Sequence, residues 1–490
     1  MTTAVGVAIV GAGMTGLTAA LTLVQHGIGD VCVFEGANAL EEVGAGIALG
    51  GNAVRVLRHL GVDAAAFGHV PPALEFRRWD SGRILAVNEI GPRYAVTIGA
   101  PYLTLHRATL QRAMVERIER DGVRVLLGHR LSGVDVGDMR APARLTFENG
   151  RSVRAQVVIA ADGVHSVARR FVTPDLRPRY SGEVAFRGVV AAAGVPGYPC
   201  TENLSIWCGP ATHAVNYAID DGALINVFAV VRPEHLPEWT KLSNRIAGER
   251  GEAVADFRAR GWDRRITDLI AASGGDLHYW ALMDLPPAPQ WHRGRVVLAG
   301  DAVHAPLPHQ GMGGGMGIES GYAVGAMIAR FGMMRYERAF ADFVTLRAAR
   351  VRRVQAWSRV AGMAYKFSEP DRVAQRDRSL WRVSDRIRWI HSYDVIDAVR
   401  RFDERGATAG VATTDALLAV ATHLQRRFGV VASTVREDTV LADLGLDSLD
   451  ALELALDLHS DADLPAAVDP RALRTAGDLV RLLAAPRPPG

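Results

Sequence analysis

Cysteine is scarce in this chain: Cys32, Cys200 and Cys208 are scattered over 490 residues. That excludes a disulfide framework and a thiolate zinc pattern, and it fits a reducing cytoplasm. No run of about 18 apolar residues occurs, so no membrane-spanning helix is expected. The amino terminus has no basic, apolar and cleavage regions of a secretory leader. Acidic partners at ligand spacing are missing around the histidines, so no metal site is expected. Charge of one sign is also lacking. The formal net charge is only +3, with no concentrated basic face for nucleic acid.

The hydrophobic content is 49 %, ample for folded cores, and the length calls for two or three domains. The charge is uneven. Residues 411–490 carry 12 acidic and 7 basic side chains, a net of −5, which leaves about +8 for the rest. An acidic tail beside a basic body can favour docking.

Near the start, V5-G-V-A-I-V10 reads as a buried parallel strand. The turn Gly11-x-Gly13-x-x-Gly16 follows, then a helical pattern from Thr15 to Gly27 and a second strand ending at Glu35. This strand–turn–helix–strand context gives the motif its meaning. Gly11 permits the tight turn. Gly13 lets backbone approach a pyrophosphate at the helix amino end, and Gly16 allows close packing. Glu35 is placed to accept a ribose hydroxyl. Two later strands end in acidic–glycine pairs, at Asp162-Gly163 and Gly300-Asp301. Asp301 precedes a glycine-rich stretch with Gly311 and Gly313 that opens another helix. The positive end of that helix suits the C2 carbonyl of a flavin ring, which gains charge on reduction.

Six ordered blocks carry a resemblance. They are GAGMTG with Glu35, G44-A-G-I-A-L-G-G-N52-A, L105-H-R107-A-T-L, A161-D-G-V-H-S166, W207 to Y217, and G300 to G311. Over residues 5–400 the chain resembles the group A flavoprotein aromatic hydroxylases, near the salicylate hydroxylase and 3-hydroxybenzoate 6-hydroxylase branch. The resemblance implies FAD, reduced by NADH or NADPH, with dioxygen supplying a hydroxyl to an electron-rich ring. It also implies that Arg107 contacts the ribityl–pyrophosphate region and that Asp162 lies in a segment linked to FAD and NAD(P)H. Asp301 would hold the ribityl chain, and Pro308 and Gln310 would line the flavin and substrate face. There are departures: Ser320 stands where the family often has an acid, Met316 where a polar residue is common, and Gly50-Gly51 before Asn52 replace prolines.

Residues 180–290 read as alternating strands that would roof an active site. His213 and Tyr217, four apart, share a face of one strand. A histidine there can assist phenol deprotonation, as the resemblance also implies; alternatively His213 serves buried backbone groups. Arg187 suits a substrate carboxylate, a cofactor phosphate or a structural role. His309, beside Pro308 and Gln310, is a candidate for direct substrate contact, and His304 for ordering the loop. The following apolar stripes read as two long helices.

The last segment begins with a small, polar linker at 403–412. Amphipathic helical patterns follow at 415–428, 447–459 and 475–483. L444-G-L-D-S448-L-D and L473-R-T-A-G-D-L-V are similar to an acyl or peptidyl carrier protein. That resemblance implies 4′-phosphopantetheine on Ser448, hence a phosphopantetheinyl transferase and an acyl-activating enzyme or synthase as partners. The expected fold class is α/β, with a Rossmann-like FAD-binding domain at 1–179 and 291–402. A mixed β-sheet substrate domain at 180–290, carboxyl-terminal helices and a small all-α carrier-like unit at 413–485 complete it. The expected function is hydroxylation of a phenolic or amino-aromatic ring, as a free acid, a polyketide or an aryl thioester, in natural-product biosynthesis. A monomer or homodimer is expected.

Overall fold

The structure, a computed structural model, describes residues 3–40, 46–195, 202–231, 245–248, 250–273 and 277–405. In the tail it describes 420–421, 423–424, 435–444, 446, 450–451, 454–455, 458 and 472–484. Ser448 and most of the 403–412 linker lie outside the described residues.

In a sheet of eight strands, to which Leu131–Asp135 and Ala143–Phe147 attach antiparallel beside Ser152–Ala160, six follow the order His292–Arg293, Val296–Leu298, Ser152–Ala160, Thr3–Val10, Val31–Phe34 and Arg124–Leu126. Along that order all pairings after the first are parallel. Val7, Ala8 and Ile9 are fully buried, as the continuous apolar run requires of a strand covered on both faces. Strand Thr3–Val10 has Val31–Phe34 on one side and Ser152–Ala160 on the other. The winding therefore reverses there, and a ligand crevice forms beyond the carboxyl ends.

Helix Met14–Gln25 packs against helix Gly313–Phe331 through a stripe of glycines. A Cβ on Gly317 would meet Thr15 Oγ1 at 2.6 Å, one on Gly321 the Thr15 carbonyl at 2.4 Å, and one on Gly325 Thr22 Cβ at 2.8 Å. These contacts advance together along both helices, so the helices run parallel, and their amino ends meet at the same crevice.

The second sheet has eight strands. Its order is Arg245–Gly248, Leu277–Asp284, Arg179–Ala191, Leu224–Val231, Thr212–Ile219, Leu204–Gly209, Ala73–Arg78 and Ile84–Glu89. It is mixed, because Leu204–Gly209 pairs parallel with Ala73–Arg78 while the other pairings are antiparallel. Two findings go beyond the sequence reading. Residues 73–89, far from 180–290 in sequence, complete the sheet. Helices Arg250–Ala259 and Arg264–Ala272 cover its outer face, burying Val254, Phe257, Ile266 and Ile270 against Phe186 and Trp207. Asp263 caps the second of these by accepting from the Arg265 amide, satisfying an otherwise unpaired amino-end donor. Helix Tyr336–Tyr365 follows.

In the tail, helical positions occur at 420, 421, 423 and 424, at 450, 451, 454, 455 and 458, and in Ala476–Ala484. Thr475 and Asp478 cap the last of these reciprocally. The Asp478 carboxylate accepts from the Thr475 amide and the Thr475 hydroxyl accepts from the Asp478 amide, a capping box.

Candidate active site

The three glycine-bearing turns named from the sequence lie more than 100 residues apart, yet they open at one edge. Residues 10, 160 and 298 end adjacent parallel strands. Gly11 has φ +100°, and a Cβ on it would stand 2.4 Å from the Ala161 carbonyl, so the first turn touches the second. Gly16 is closed by the same turn, its Cβ position 2.0 Å from the Gly11 carbonyl. Gly13 differs: nothing lies within 4 Å of its Cβ position, because it faces the crevice.

A cavity of about 480 Å³ opens here and runs beneath the second sheet. Of the residues singled out from the sequence, Gly13, Arg107, Arg187, Tyr217, Asp301, Pro308, His309, Gln310, Gly311 and Gly313 line it. At the parallel-sheet end, Arg107 and Asp301 present opposite charges. Burial raises the Asp301 carboxyl above its usual range, and the Arg107 guanidinium pulls it back. The helix that starts at Arg107 is tied to the first turn by Gln111, whose Nε2 donates to the Ala12 carbonyl at 2.7 Å.

Glu35 and Asp162 stand behind the wall rather than in it. Glu35 accepts from the amides of Ala12 (2.7 Å) and Ala37 (2.9 Å), one bond per oxygen, which leaves each a lone pair for a hydroxyl donor. Asp162 Oδ2 accepts from the Val167 and Ala168 amides, while Oδ1 is buried without a hydrogen-bond partner. Burial raises its carboxyl, with the hydrogen bonds opposing that. An open glycine, a facing cation–carboxylate pair and two converging helix amino ends fit the phosphates and hydroxyls of a dinucleotide.

Under the second sheet the cavity is apolar, walled by Leu204, Ile206, Val215, Phe228 and Leu282. Arg187 projects into it with its guanidinium 5.5 Å from the Phe228 ring centre, and among the described residues no carboxylate pairs with it. Burial raises the Tyr217 phenol well above its usual range, and the nearby Arg187 works against that. Gln310 Nε2 donates to the Tyr365 hydroxyl at 3.4 Å.

His213 is placed differently from the expectation that it faces a substrate. It is fully buried and does not line the cavity. The strand carries Tyr217 and Val215 into the cavity, but two residues earlier its face has passed under His309, Tyr365 and Phe228. Among the described residues neither ring nitrogen has a hydrogen-bond partner. Burial first, then His309 and Lys366, push its pKa well below the usual value. His304 is sealed inside, its ring paired with the Ser320 hydroxyl at 2.9 Å. The sequence reading missed Tyr365, Tyr102, His391 and Asn226, all of which line the cavity. Asn226 sits opposite Tyr217 across two strands and accepts from the Gly46 amide. No local pattern marks these positions; they converge only on folding.

Comparison with known proteins agrees with this geometry. The FAD-binding domain family model matches residues 4–216 and 278–358, more than half of the chain. The chain is 33 % identical over 398 residues to the 3-amino-4-hydroxybenzoate 2-monooxygenase PtmB3 of Streptomyces platensis, covering 79 % of this chain and 96 % of that protein. The chain belongs to the FAD-dependent aromatic hydroxylases. This hydroxylase is also 30 % identical to the 6-hydroxynicotinate 3-monooxygenase of Pseudomonas fluorescens, over 80 % of this chain and 95 % of that one. Klebsiella pneumoniae HpxO, solved with FAD and uric acid, superposes with a TM-score of 0.68 at 26 % identity, covering 80 % of this chain and 97 % of its own. About a fifth of the hydroxylase lies outside each of these matches.

Proposed function

We propose that this hydroxylase adds a hydroxyl group to a phenolic or amino-aromatic ring that bears a carboxylate, using NADH or NADPH as reductant, in natural-product biosynthesis. The observation that carries the carboxylate is Arg187, a cation without a carboxylate partner among the described residues, set beside the apolar wall under the second sheet. A buried guanidinium gains most from a planar anion that it can grip with two hydrogen bonds. The names of the relatives support this reading, because aminohydroxybenzoate and hydroxynicotinate are both ring acids.

In this reading Gly11, Gly13 and Gly16 shape the pyrophosphate turn and Glu35 accepts a ribose hydroxyl. Arg107, Asp162 and Asp301 serve the phosphate and ribityl regions, and Gly311 and Gly313 present the helix amino end to the ring. FAD, when bound and reduced, would activate dioxygen, the source of the hydroxyl group. Arg187 fixes the acid, Tyr217, Pro308 and Gln310 bound the ring, and His309 takes the phenolic proton, the part expected of His213. Replacing Arg187 by methionine is expected to raise KM for 3-amino-4-hydroxybenzoate by roughly 10- to 100-fold while FAD content is unchanged. An unchanged KM in that variant sinks the reading.

A second reading concerns residues 413–485 as a carrier unit that presents an aryl thioester. Its support is the burial of Val420 and Leu424, of Ala451, Leu454 and Ala455, and of Ala476 and Leu479. That is one face of each of three helical stretches flanking the D-S448-L motif. Intact-mass measurement after incubation with a phosphopantetheinyl transferase and coenzyme A is expected to show one added phosphopantetheine, and none in Ser448→Ala. No gain in the parent protein ends the carrier reading.

A further inference from the structure

A second cavity of about 440 Å³ lies behind the first. Its rim carries Met363, Ser368 and Glu369, all exposed, so it opens to solvent. Among the described residues, His309 is the one side chain that lines both cavities. Glu183 and Lys366 line the second. The three form a buried row. His309 Nε2 stands 3.4 Å from Glu183 Oε2, and Lys366 Nζ donates to Glu183 Oε1. The side chains of His309, Glu183 and Lys366 are 1 %, 4 % and 8 % exposed.

This row is held by the backbone. A Cβ on Gly362 would come within 2.2 Å of His309 Cδ2, so only the bare helix surface leaves room for the ring. His309 Nδ1 is buried without a hydrogen-bond partner. Burial first, and the Lys366 ammonium second, push the ring down to about 3, so it is neutral at ordinary pH. Glu183 at 3.4 Å is too distant to reverse that. The titratable group on its inner side is His213, with ring centres 5.1 Å apart, and His213 in turn meets Tyr365. Arg359 and Arg372 face it from the second cavity. Arg359 is already paired with Asp284 at 2.7 Å.

An apolar cavity that accepts a phenol must release a proton when the ring is activated, and a charged imidazolium is disfavoured in this setting. A neutral imidazole escapes that limit when it takes a proton at one nitrogen and gives one at the other. Resting on the hydroxylase reading above, we infer that His309, Glu183 and Lys366 carry the phenolic proton out to the second cavity. The ring O–H bond breaks and its proton passes to the His309 imidazole. The Nε2 proton passes to Glu183 Oε2. Lys366 yields a proton to water at the rim and takes back the one held by Glu183, so each group ends with its starting charge, and a turn of the imidazole restores the starting tautomer of His309. Glu183 and Lys366 never touch the substrate; they act through His309 as positioning and relay residues.

The test measures proton release with a pH indicator in stopped flow, when 3-amino-4-hydroxybenzoate is mixed with the FAD-bound protein, together with the pH profile of kcat. Glu183→Gln and Lys366→Met are each expected to slow release and lower kcat at neutral pH by about 10- to 100-fold. KM and FAD content should change little, and kcat should recover as hydroxide rises. Glu183→Asp and Lys366→Arg should restore part of the rate, which a purely structural role does not predict. Release at the parent rate in folded, FAD-bound Glu183→Gln and Lys366→Met overturns the relay and leaves the hydroxylase reading intact. A parent protein that releases no proton and oxidises no reduced nicotinamide with any hydroxylated ring acid overturns both.

Discussion

Replacing Glu319 by glutamine is expected to cost about 3–5 kcal/mol of folding stability. Glu319 is fully buried in helix Gly313–Phe331. Arg350 grips both its oxygens at 2.7 Å, Arg347 approaches one at 2.7 Å, and Asn52 donates to Oε1 at 2.6 Å. Burial works to raise its carboxyl, but the Arg350 and Arg347 guanidiniums overcome that and hold it down at about 2. The arginines reach further: Arg350 donates to the Ile390 carbonyl and stacks 3.9 Å from the Tyr393 ring centre. One carboxylate thus joins four stretches of chain, at 52, 319, 347–350 and 389–393. Ser320 beside it adds no second charge. Its hydroxyl accepts from Arg347 Nε at 3.3 Å, so among the described residues Glu319 is the carboxylate that balances Arg347, which is 0 % exposed. Glutamine keeps the shape and leaves buried guanidinium charge without a counter-ion. By contrast, Glu89→Gln, which loses the exposed pair with Arg93, is expected to cost well under about 1 kcal/mol. Denaturant titration of the FAD-bound proteins compares the two; equal midpoints show that the buried charge is not what holds these helices.

The glycine-loop half of the site was legible in the sequence because its signals are local. A turn that needs Gly11 at φ +100° announces itself, and strands buried on both faces read as apolar runs. The turns at Asp162 and Asp301 could be named one by one. Their strands prove to be neighbours only in the structure. The substrate half was less legible because its positions are fixed by registers that sequence does not show. Tyr217 was found, but His213 was read as a cavity residue. Strand period places it on the right face and says nothing about how far along that face the cavity extends. Residues 73–89 were missed as roof strands because their partner strand starts at 204, more than 100 residues later. Glu183 and Lys366 carry no motif at all. They lie 183 residues apart and gain meaning only from the cavity they share.

Acid is expected to destabilise this hydroxylase well above the range in which its carboxylates titrate. His304, His309 and His391 are each pushed down to about 3, and His213 well below its usual value, with burial the largest cause in every case. In the unfolded chain these rings ionise near their ordinary value of about 6.5. Below that pH the unfolded state binds more protons than the folded state, so stability falls as pH falls. Each ring costs about 1.4 kcal/mol per pH unit once it is fully ionised in the unfolded chain. Asp162 and Asp301 run the other way. Burial raises their folded carboxyls, so they take up protons on acidification before the unfolded chain does, and stability rises. Four histidines against two aspartates leave a net loss as pH falls below 6, at most about 5–6 kcal/mol per pH unit. Glu319 adds nothing in this window, because its stabilisation is lost only as pH falls from its ordinary value toward about 2. Melting temperature should therefore be flat above pH 7 and fall steeply from pH 6.5 to 5. His391→Gln, which removes one buried ring, should make that slope shallower by about 1.4 kcal/mol per pH unit. A parent protein that melts at the same temperature at pH 5 and pH 7 contradicts the burial of four neutral rings.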